Sequence, residues 1–264
     1  MPSGIEIPPW NSWPHQRIKV TDDVSLHLRY YGTGPPVLLI HENPQHSVPP
    51  IIAAQKYTVI CVDNPGTGDS SIPKDDNYTA SAQADDFRAV LDFLKINQIY
   101  VFSHDKGVGT AAALSKKYPS YIRRVIFSEY PLPALGYETF WSPSNGWDLY
   151  QNWQLGFFFG REKEMLAWYF YHASYPGFLR SMLNVFSVET VTQDAALAPV
   201  GTVKELFGPV AEDLEVDLVP KAGHWILDEN PGWVAERVLR FLGEDERPPP
   251  VVNLSFLEGD VTLV

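Results

Sequence analysis

The sequence predicts an α/β protein, a mostly parallel sheet flanked by helices with a short helical lid inserted into it. Two runs, Val37-Leu-Leu-Ile40 and Tyr57–Val62, are almost wholly apolar, as expected of strands buried on both faces. Segments of helical period separate these and later strand-like runs, and such alternation argues for an open α/β sheet. Residues 131–186 break the pattern: they hold Trp141, Trp147, Trp153 and Trp168 with many Tyr and Phe, a helical stretch at Glu162–His172, and no buried-strand run. Ordinary lid packing accounts for most of these aromatics.

Taken in order, Val24-Ser-Leu-His-Leu-Arg-Tyr30 alternates apolar and polar residues. With Arg17-Ile-Lys-Val20 before it and the turn-prone Thr21-Asp22-Asp23 between, it predicts an antiparallel hairpin. Thr79 is placed to cap a helix through Leu94, in which Phe87, Val90, Leu91 and Leu94 share one face. Asp85 and Asp86 are expected near the positive end of its dipole. Ile99-Tyr-Val-Phe102 predicts the next strand, an alanine-rich helix follows through Lys117 to Pro119, and Arg124-Val-Ile-Phe127 predicts another strand. Val203–Asp213 reads as a helix interrupted at Gly208-Pro209, and Leu214–Val219 as a strand. Asn230 and Pro231 then open a helix carrying Val234, Val238, Phe241 and Leu242, with Gly243 as its stop. The expected organisation is a core over residues 1–130 and 187–243, a lid over 131–186 and a C-terminal tail over 244–264. Residues 251–264 are expected either to form a small hairpin around Glu258-Gly-Asp260 or to be loose.

An apolar content of 45% supports a packed core, and a formal charge of −12 argues against a nucleic-acid partner, because phosphate binding is carried by clustered Lys and Arg. An acidic surface also repels anionic membranes. The single cysteine, Cys61, lies in a strand-like run and reads as a small core side chain. No basic segment leads into an apolar run at the N-terminus, and no stretch approaches the ~18 apolar residues of a membrane span. A soluble, cytoplasmic protein is expected.

The chemistry concentrates at Ser103-His-Asp105-Lys-Gly107, between a strand and a helix. Its spacing, small-x-nucleophile-x-Gly, is that of a sharp elbow that lifts one side chain above a sheet, with aspartate where serine is usual. Taken alone, Asp105 would read as a cap for the helix that follows. Three features point further. His41-Glu42-Asn43-Pro44 follows a buried strand directly, where a turn can aim a backbone N–H at the nucleophile and form an oxyanion hole with the N–H of Lys106. Ala222-Gly-His224-Trp supplies a base after the last predicted strand. Glu129 supplies an acid after the strand that follows the nucleophile helix, which gives the chain order nucleophile, acid, base.

The run His41-Glu-Asn-Pro-Gln45, then Asp63-Asn-Pro-Gly-Thr-Gly-Asp-Ser70, then Ser103-His-Asp-Lys-Gly107, then Gly223-His224 resembles the epoxide hydrolase and haloalkane or haloacetate dehalogenase branch of the α/β-hydrolase fold superfamily. The resemblance covers about residues 15 to 243. It implies an α/β-hydrolase fold, an Asp nucleophile and no metal or organic cofactor. Glu129 matches the place where some dehalogenases carry the acid, and Asn43 matches a loop asparagine with which some haloalkane dehalogenases hold halide. In the lid, Tyr150-Gln151 resembles the Tyr-Gln of epoxide hydrolases, whose tyrosine assists ring opening. Trp153 resembles a halide-pocket tryptophan of haloacetate dehalogenases, which also carry a cation at the place of Lys106; pointing to solvent is the plainer reading of that lysine.

Physical chemistry supplies an independent reason for aspartate. A serine alkylated at an sp³ carbon becomes an ether that neutral water does not cleave, whereas an alkylated carboxylate becomes an ester that it does. A carboxylate is also ionised unaided, with a reference pKa of ~3.9. Asp105 therefore implies attack on the carbon of a small apolar epoxide or organohalide, followed by hydrolysis of the ester by water activated at His224 and oriented through Glu129. The expected reaction is epoxide hydrolysis to a diol, with haloacetate or haloalkane dehalogenation as the alternative and a catalytically impaired protein binding an apolar ligand as a third. His41 and His104 are expected to hold loops, and His15, His27, His46 and His172 belong to no recognisable constellation.

Three departures from the family pattern predict weak activity. Glu42 stands where the oxyanion turn has glycine, the loop from Gln45 to Ile51 is short, and a penultimate core strand is missing. Leu197-Ala-Pro-Val-Gly201 is its only remnant, and Pro199 and Gly201 both disfavour pairing there.

Overall fold

The computed structural model describes residues 8–41, 56–130, 132, 200–211, 213–223 and 226–257. The chain divides into two compact units, Met1–Tyr130 with Pro231–Val264, and Pro131–Asn230.

In the first unit, strands β1 (His15–Lys19), β2 (Ser25–Tyr31), β3 (Pro36–Ile40), β4 (Thr58–Val62), β5 (Ile99–His104) and β6 (Ile122–Ser128) form one sheet in the order β1-β2-β4-β3-β5-β6. The predicted hairpin is β1 and β2, paired antiparallel, and β2 also runs antiparallel to β4. Every pairing from β4 to β6 is parallel. Alternation in β2 and unbroken apolarity in β3 and β4 have the expected consequence: all five residues of β3 and of β4 are buried.

Helices α1 (Ala80–Phe93) and α2 (Gly107–Lys117) cover one face. Thr79 caps α1 by accepting a hydrogen bond from Ala82 N–H, which satisfies one of the orphan donors of the first turn. Phe87, Val90 and Leu91 pack with Leu38, Ile40, Ile60, Val62, Ile99 and Val101 in one cluster. The alternate strand residues Val37, Leu39, Val59, Tyr100 and Phe102 are buried on the opposite face. From that face Tyr100 donates a 2.9 Å hydrogen bond to Asp245, just beyond a further helix of this unit, Pro231–Gly243. This helix begins and ends where the sequence predicts and buries Val234, Ala235, Val238 and Leu242.

Two details of this unit differ from expectation. Asp85 and Asp86 lie beyond the first turn of α1, which contains no acidic residue, so they do not face the end of the dipole. Asp85 pairs with Lys117 at 2.5 Å; its carboxyl is held below the usual value by hydrogen bonds from Lys117 and Tyr118. Asp86 is buried, and burial, with the charges of Asp85 and Asp75, pushes its pKa up to about 6. The tail, expected as a hairpin or a loose end, instead joins the core: Leu254 and Leu257 are buried in the α1 and α2 cluster and Ser255–Leu257 forms a 3₁₀ turn. Asp245 binds Arg123 at 2.5 Å. The predicted turn at Glu258–Asp260 lies outside the described residues.

The second unit holds helix α3 (Val200–Phe207), a 3₁₀ turn at Gly208–Val210 and the short helix Ile226–Glu229. The helix predicted over 203–213 thus starts three residues early and tightens at Gly208-Pro209. Val200 and Gly201 of the strand remnant open α3, while Leu197–Pro199 and the predicted lid, including Trp141, Trp147, Trp168 and Glu162–His172, lie outside the described residues. Leu214–Val219 is not the strand the sequence predicts. It belongs to no sheet among the described residues. Glu215 and Asp217 alternate with Leu214 and Val216, so one face of this segment is charged, and a central parallel strand needs apolar groups on both.

Candidate active site

Within the first unit the chain order reverses across the sheet between β3 and β5: β4 lies to one side of β3, and β5 and β6 lie to the other. In open α/β sheets ligands bind beyond the carboxyl ends of the strands at such a reversal. His41 follows β3 and Asp105 follows β5, so both predicted motifs of this unit meet at that point.

Asp105 has a left-handed backbone with φ 44°, a conformation that costs a non-glycine residue ~1–3 kcal/mol and marks strained functional turns. It is half-buried. Its N–H donates to Ser128 O at 3.0 Å, and its carbonyl accepts from Val108 N–H at 2.8 Å. The residue at the N-cap position of α2 is Lys106, which makes no side-chain capping bond. Gly107 lets the turn close, since a Cβ there would stand 2.5 Å from the carbonyl oxygen of Ile40. Ser103 is fully buried and its hydroxyl donates to Ile126 O at 3.0 Å. Lys106 is exposed.

Glu129 follows β6 and also has a left-handed backbone, φ 60°. It is half-buried. The residues just before the two carboxylates, His104 and Ser128, are opposite each other in the β5–β6 register. His104 Nδ1 and Ser128 Oγ are 2.6 Å apart. His104 was expected to hold a loop; what it holds is this last rung. Ser128 escaped the sequence reading, although a small hydroxyl residue directly before a candidate acid was a signal for it.

His41 is buried and holds loops as expected. Its Nε2 accepts from Asn64 N–H at 2.9 Å, and its carbonyl accepts from Asn64 Nδ2 at 3.0 Å. The Asp63–Ser70 motif therefore fastens the start of the turn after β3. Asp63 organises the motif, accepting from Asp69 N–H at 3.0 Å and bonding His27 Nδ1 at 2.9 Å. Burial by itself would raise the Asp63 carboxyl, but hydrogen bonds from His27 and Asp69 and the charges of His27 and His41 hold it below its usual value. His15 Nδ1 lies 3.1 Å from His27 Nε2, so these two histidines do belong to a constellation. Burial, then the charges of Arg29 and His27, lower the pKa of His15. The ligand atoms of His27, Asp63 and Asp69 lie within 4.8 Å of one another, close enough to consider a metal. The 2.9 Å contact between His27 and Asp63 is that of a hydrogen bond, which already satisfies both groups.

In the second unit Gly223 N–H donates to Glu229 at 3.1 Å and Asn230 Nδ2 to Pro220 O at 2.7 Å, tying down the turn that leads to His224. His224 itself, with Glu42, Asn43, Tyr150, Gln151, Trp153, His46 and His172, lies outside the described residues.

A family model described as alpha/beta hydrolase fold matches residues 35–199, more than half of the chain. The chain belongs to the alpha/beta hydrolase fold family. Curated relatives of the chain include a fluoroacetate dehalogenase of a Burkholderia species, 31% identical over 40% of this chain and 38% of the relative. A haloalkane dehalogenase of Psychrobacter cryohalolentis is 31% identical over 48% and 46%, and an epoxide hydrolase of Caballeronia sordidicola is 32% identical over 44% and 37%. The chain therefore spans less than half the length of each. Among solved structures, Cfl2 from Burkholderia cenocepacia superposes with a TM-score of 0.63 at 20% identity over 86% of this chain and 95% of its own, which speaks for the fold. No helix among the described residues is long and apolar enough to cross a membrane.

Proposed function

We propose that this hydrolase opens small apolar epoxides to diols through an alkyl-enzyme ester on Asp105. The observation that carries the reading is the left-handed elbow at Asp105, beyond the carboxyl end of β5 at the reversal of strand order. Such strain persists where the surrounding structure enforces it for a task. A carboxylate there supplies what an sp³ electrophile requires, an attacking group whose product with the substrate can be hydrolysed.

In the first step a carboxylate oxygen of Asp105 attacks a ring carbon, the carbon–oxygen bond of the ring breaks, and the ring oxygen takes a proton from Tyr150. A phenol suits this role because it stays neutral until needed, with a pKa of ~10. In the second step His224, oriented by Glu129, removes a proton from water, which attacks the ester carbonyl. The oxyanion hole, formed by the Glu42–Asn43 turn and the N–H of Lys106, holds the charge that develops. Collapse of the intermediate returns Asp105 as its carboxylate and releases the diol, the second proton of the water going to the departing alkoxide and the proton on His224 returning to Tyr150, so one water is consumed per epoxide. Gln151 and Trp153 line the substrate's place. Glu42 in the oxyanion turn and the absence of a strand at Leu214–Val219 among the described residues favour slow turnover.

A second reading, displacement of halide from a haloacetate or haloalkane, is favoured by the position of Glu129 at the end of β6 and by the relatives' names. In it Asn43 and Trp153 hold the departing halide and Lys106 meets a substrate carboxylate. A His224→Gln variant, exposed to styrene oxide and separately to chloroacetate, tests both by intact mass and peptide mapping. An adduct on Asp105 from styrene oxide supports the first, and one from chloroacetate alone supports the second. An adduct elsewhere, or none with either reagent, removes Asp105 as nucleophile; retained binding of an apolar ligand then favours a protein that binds without turnover. Tyr150→Phe separates the two further, since it slows ring opening and spares halide displacement.

A further inference from the structure

Asp105 and Glu129 are the first residues beyond two neighbouring strands, and both have left-handed backbones. A left-handed residue at a strand end acts as a swivel: the direction of its side chain depends on where the last rung of the ladder points. That rung is the pair of His104 and Ser128. Strand ends are the places where a ladder opens most readily, yet this one is closed by two bonds beyond the ordinary pairing. Asp105 N–H donates to Ser128 O at 3.0 Å, and the His104 imidazole bonds the Ser128 hydroxyl at 2.6 Å. His104 is 4% exposed, so the bond is shielded from competing water and is worth more than a surface one.

We infer that His104 and Ser128 are a positioning pair that sets the direction of Asp105 relative to Glu129. The inference rests on the reading of Asp105 as nucleophile. Each of the pair acts through its neighbour in sequence, His104 on Asp105 and Ser128 on Glu129, and the bond between them makes the two strand ends move together. With the bond gone, the ladder's backbone pairing remains, so the fold persists while the two strand ends lose the side-chain link between them. A misplacement of ~1 Å at a reacting group costs up to ~100-fold in rate. Alkylation depends on Asp105 alone, whereas ester hydrolysis depends on Asp105, Glu129 and His224 together; losing the coupling therefore slows the second half-reaction more.

The test uses the full chain with Ser128→Ala, Ser128→Thr and His104→Asn, each read by the rate at which styrene oxide labels Asp105, the rate at which the label is lost, and the melting temperature. Ser128→Ala is expected to slow labelling by about 3- to 10-fold and loss of label by about 10- to 100-fold, with a melting temperature within a few degrees of the parent. Ser128→Thr, which keeps the hydroxyl, and His104→Asn, which keeps a polar atom near the Nδ1 position, are expected to recover most of both rates. Unchanged rates in Ser128→Ala, whatever its melting temperature, would show a purely structural pair and overturn the inference, as would equal damage from Ala and Thr. If Asp105 took no label from styrene oxide or chloroacetate in a His224→Gln background, where the ester is not hydrolysed, the functional reading would fall, and this inference with it.

Discussion

Replacing Gly107 by alanine probes how tightly the elbow is built. A Cβ at this position stands 2.5 Å from Ile40 O, 2.9 Å from His41 O and 3.0 Å from Ile40 C. All three are backbone atoms of the end of β3 and the residue after it, so no flexible side chain can swing aside. Ordinary contact begins at 3.4 Å, and relief therefore requires about 0.9 Å of movement between α2 and β3. Overpacking of this kind costs ~1–3 kcal/mol, which lowers the melting temperature of a unit of this size by ~2–12 °C. Function should suffer more than stability. The start of α2 cannot lift from β3 without carrying Asp105 with it, and a misplacement near 1 Å reduces rate by up to ~100-fold. Chemical denaturation gives the stability, and mass-resolved labelling of Asp105 by styrene oxide gives the rate. If Gly107→Ala unfolded at the parent's midpoint and labelled at the parent's rate, the close approach of α2 to β3 would not be what positions Asp105.

Asp86→Asn should reveal the cost of the buried carboxyl in α1. The folded pKa is about 6 against 3.8 unperturbed, so between about pH 4 and pH 6 the folded chain keeps a proton that the unfolded chain releases, and stability falls as pH rises through that window. The asparagine variant should lose this fall and gain about 1–2 kcal/mol at pH 7, less than the full shift converts to because the part contributed by the exposed charges of Asp85 and Asp75 is screened by solvent; equal pH profiles of unfolding for parent and variant would refute it. Leu257→Ala should lower stability by about 2–4 kcal/mol, because this tail residue is 4% exposed in the main cluster; a denaturation midpoint like the parent's would mean that the tail is not part of the core. Gly68→Ala would place a Cβ 2.1 Å from Asp63 Oδ2 at a backbone φ of +52°. Loss of the His27 and Asp63 contact, read from the histidine resonances by NMR, is expected along with ~1–3 kcal/mol of destabilisation, and an undisturbed contact would show that the loop does not close around Asp63.

The parts of this fold that were legible in the sequence are those decided within a few residues. Val37–Ile40 and Tyr57–Val62 needed burial on both faces, and Thr79 with the Phe87 to Leu94 spacing fixed α1 from its cap onward. The elbow was legible because a tight strand-to-helix turn restricts the residue types around Asp105, with Ser103 and Gly107 as the small ones. What failed was information that local pattern does not carry. Leu214–Val219 has the period of a strand, but period says nothing about a partner, and the charged face formed by Glu215 and Asp217 suits solvent. Asp85 and Asp86 were assigned to the helix dipole by proximity; counting from the Thr79 cap puts them in the second turn, where the macrodipole no longer reaches. The pairing of His27 with Asp63 joins residues far apart in sequence, across β2 and the loop after β4. The tail's Leu254 and Leu257 are too few and too close to prolines for any periodic signal, so their burial could only come from the fold.

The same long-range contacts explain why the Asp63–Ser70 motif accompanies a site in which none of its side chains is assigned a chemical step. Asp63 is drawn into the sheet's edge by His27, which is itself steadied by His15 on β1. From the next residue, Asn64, two hydrogen bonds reach His41. Linked polar groups such as these fix one arrangement, because any slip breaks several of their hydrogen bonds at once. His41, the first residue after β3, is therefore registered against the loop after β4 and, through Asp63 and His27, against β2. Gly107 then presses α2 onto that same stretch of backbone. A catalytic N–H supplied by the turn after β3 would inherit this placement, and so would the elbow at Asp105. Two motifs almost sixty residues apart in the chain thus meet directly, while a third that lies between them in sequence fixes His41, and that mechanical role is sufficient reason for its glycines, its hydroxyls and its half-buried aspartate.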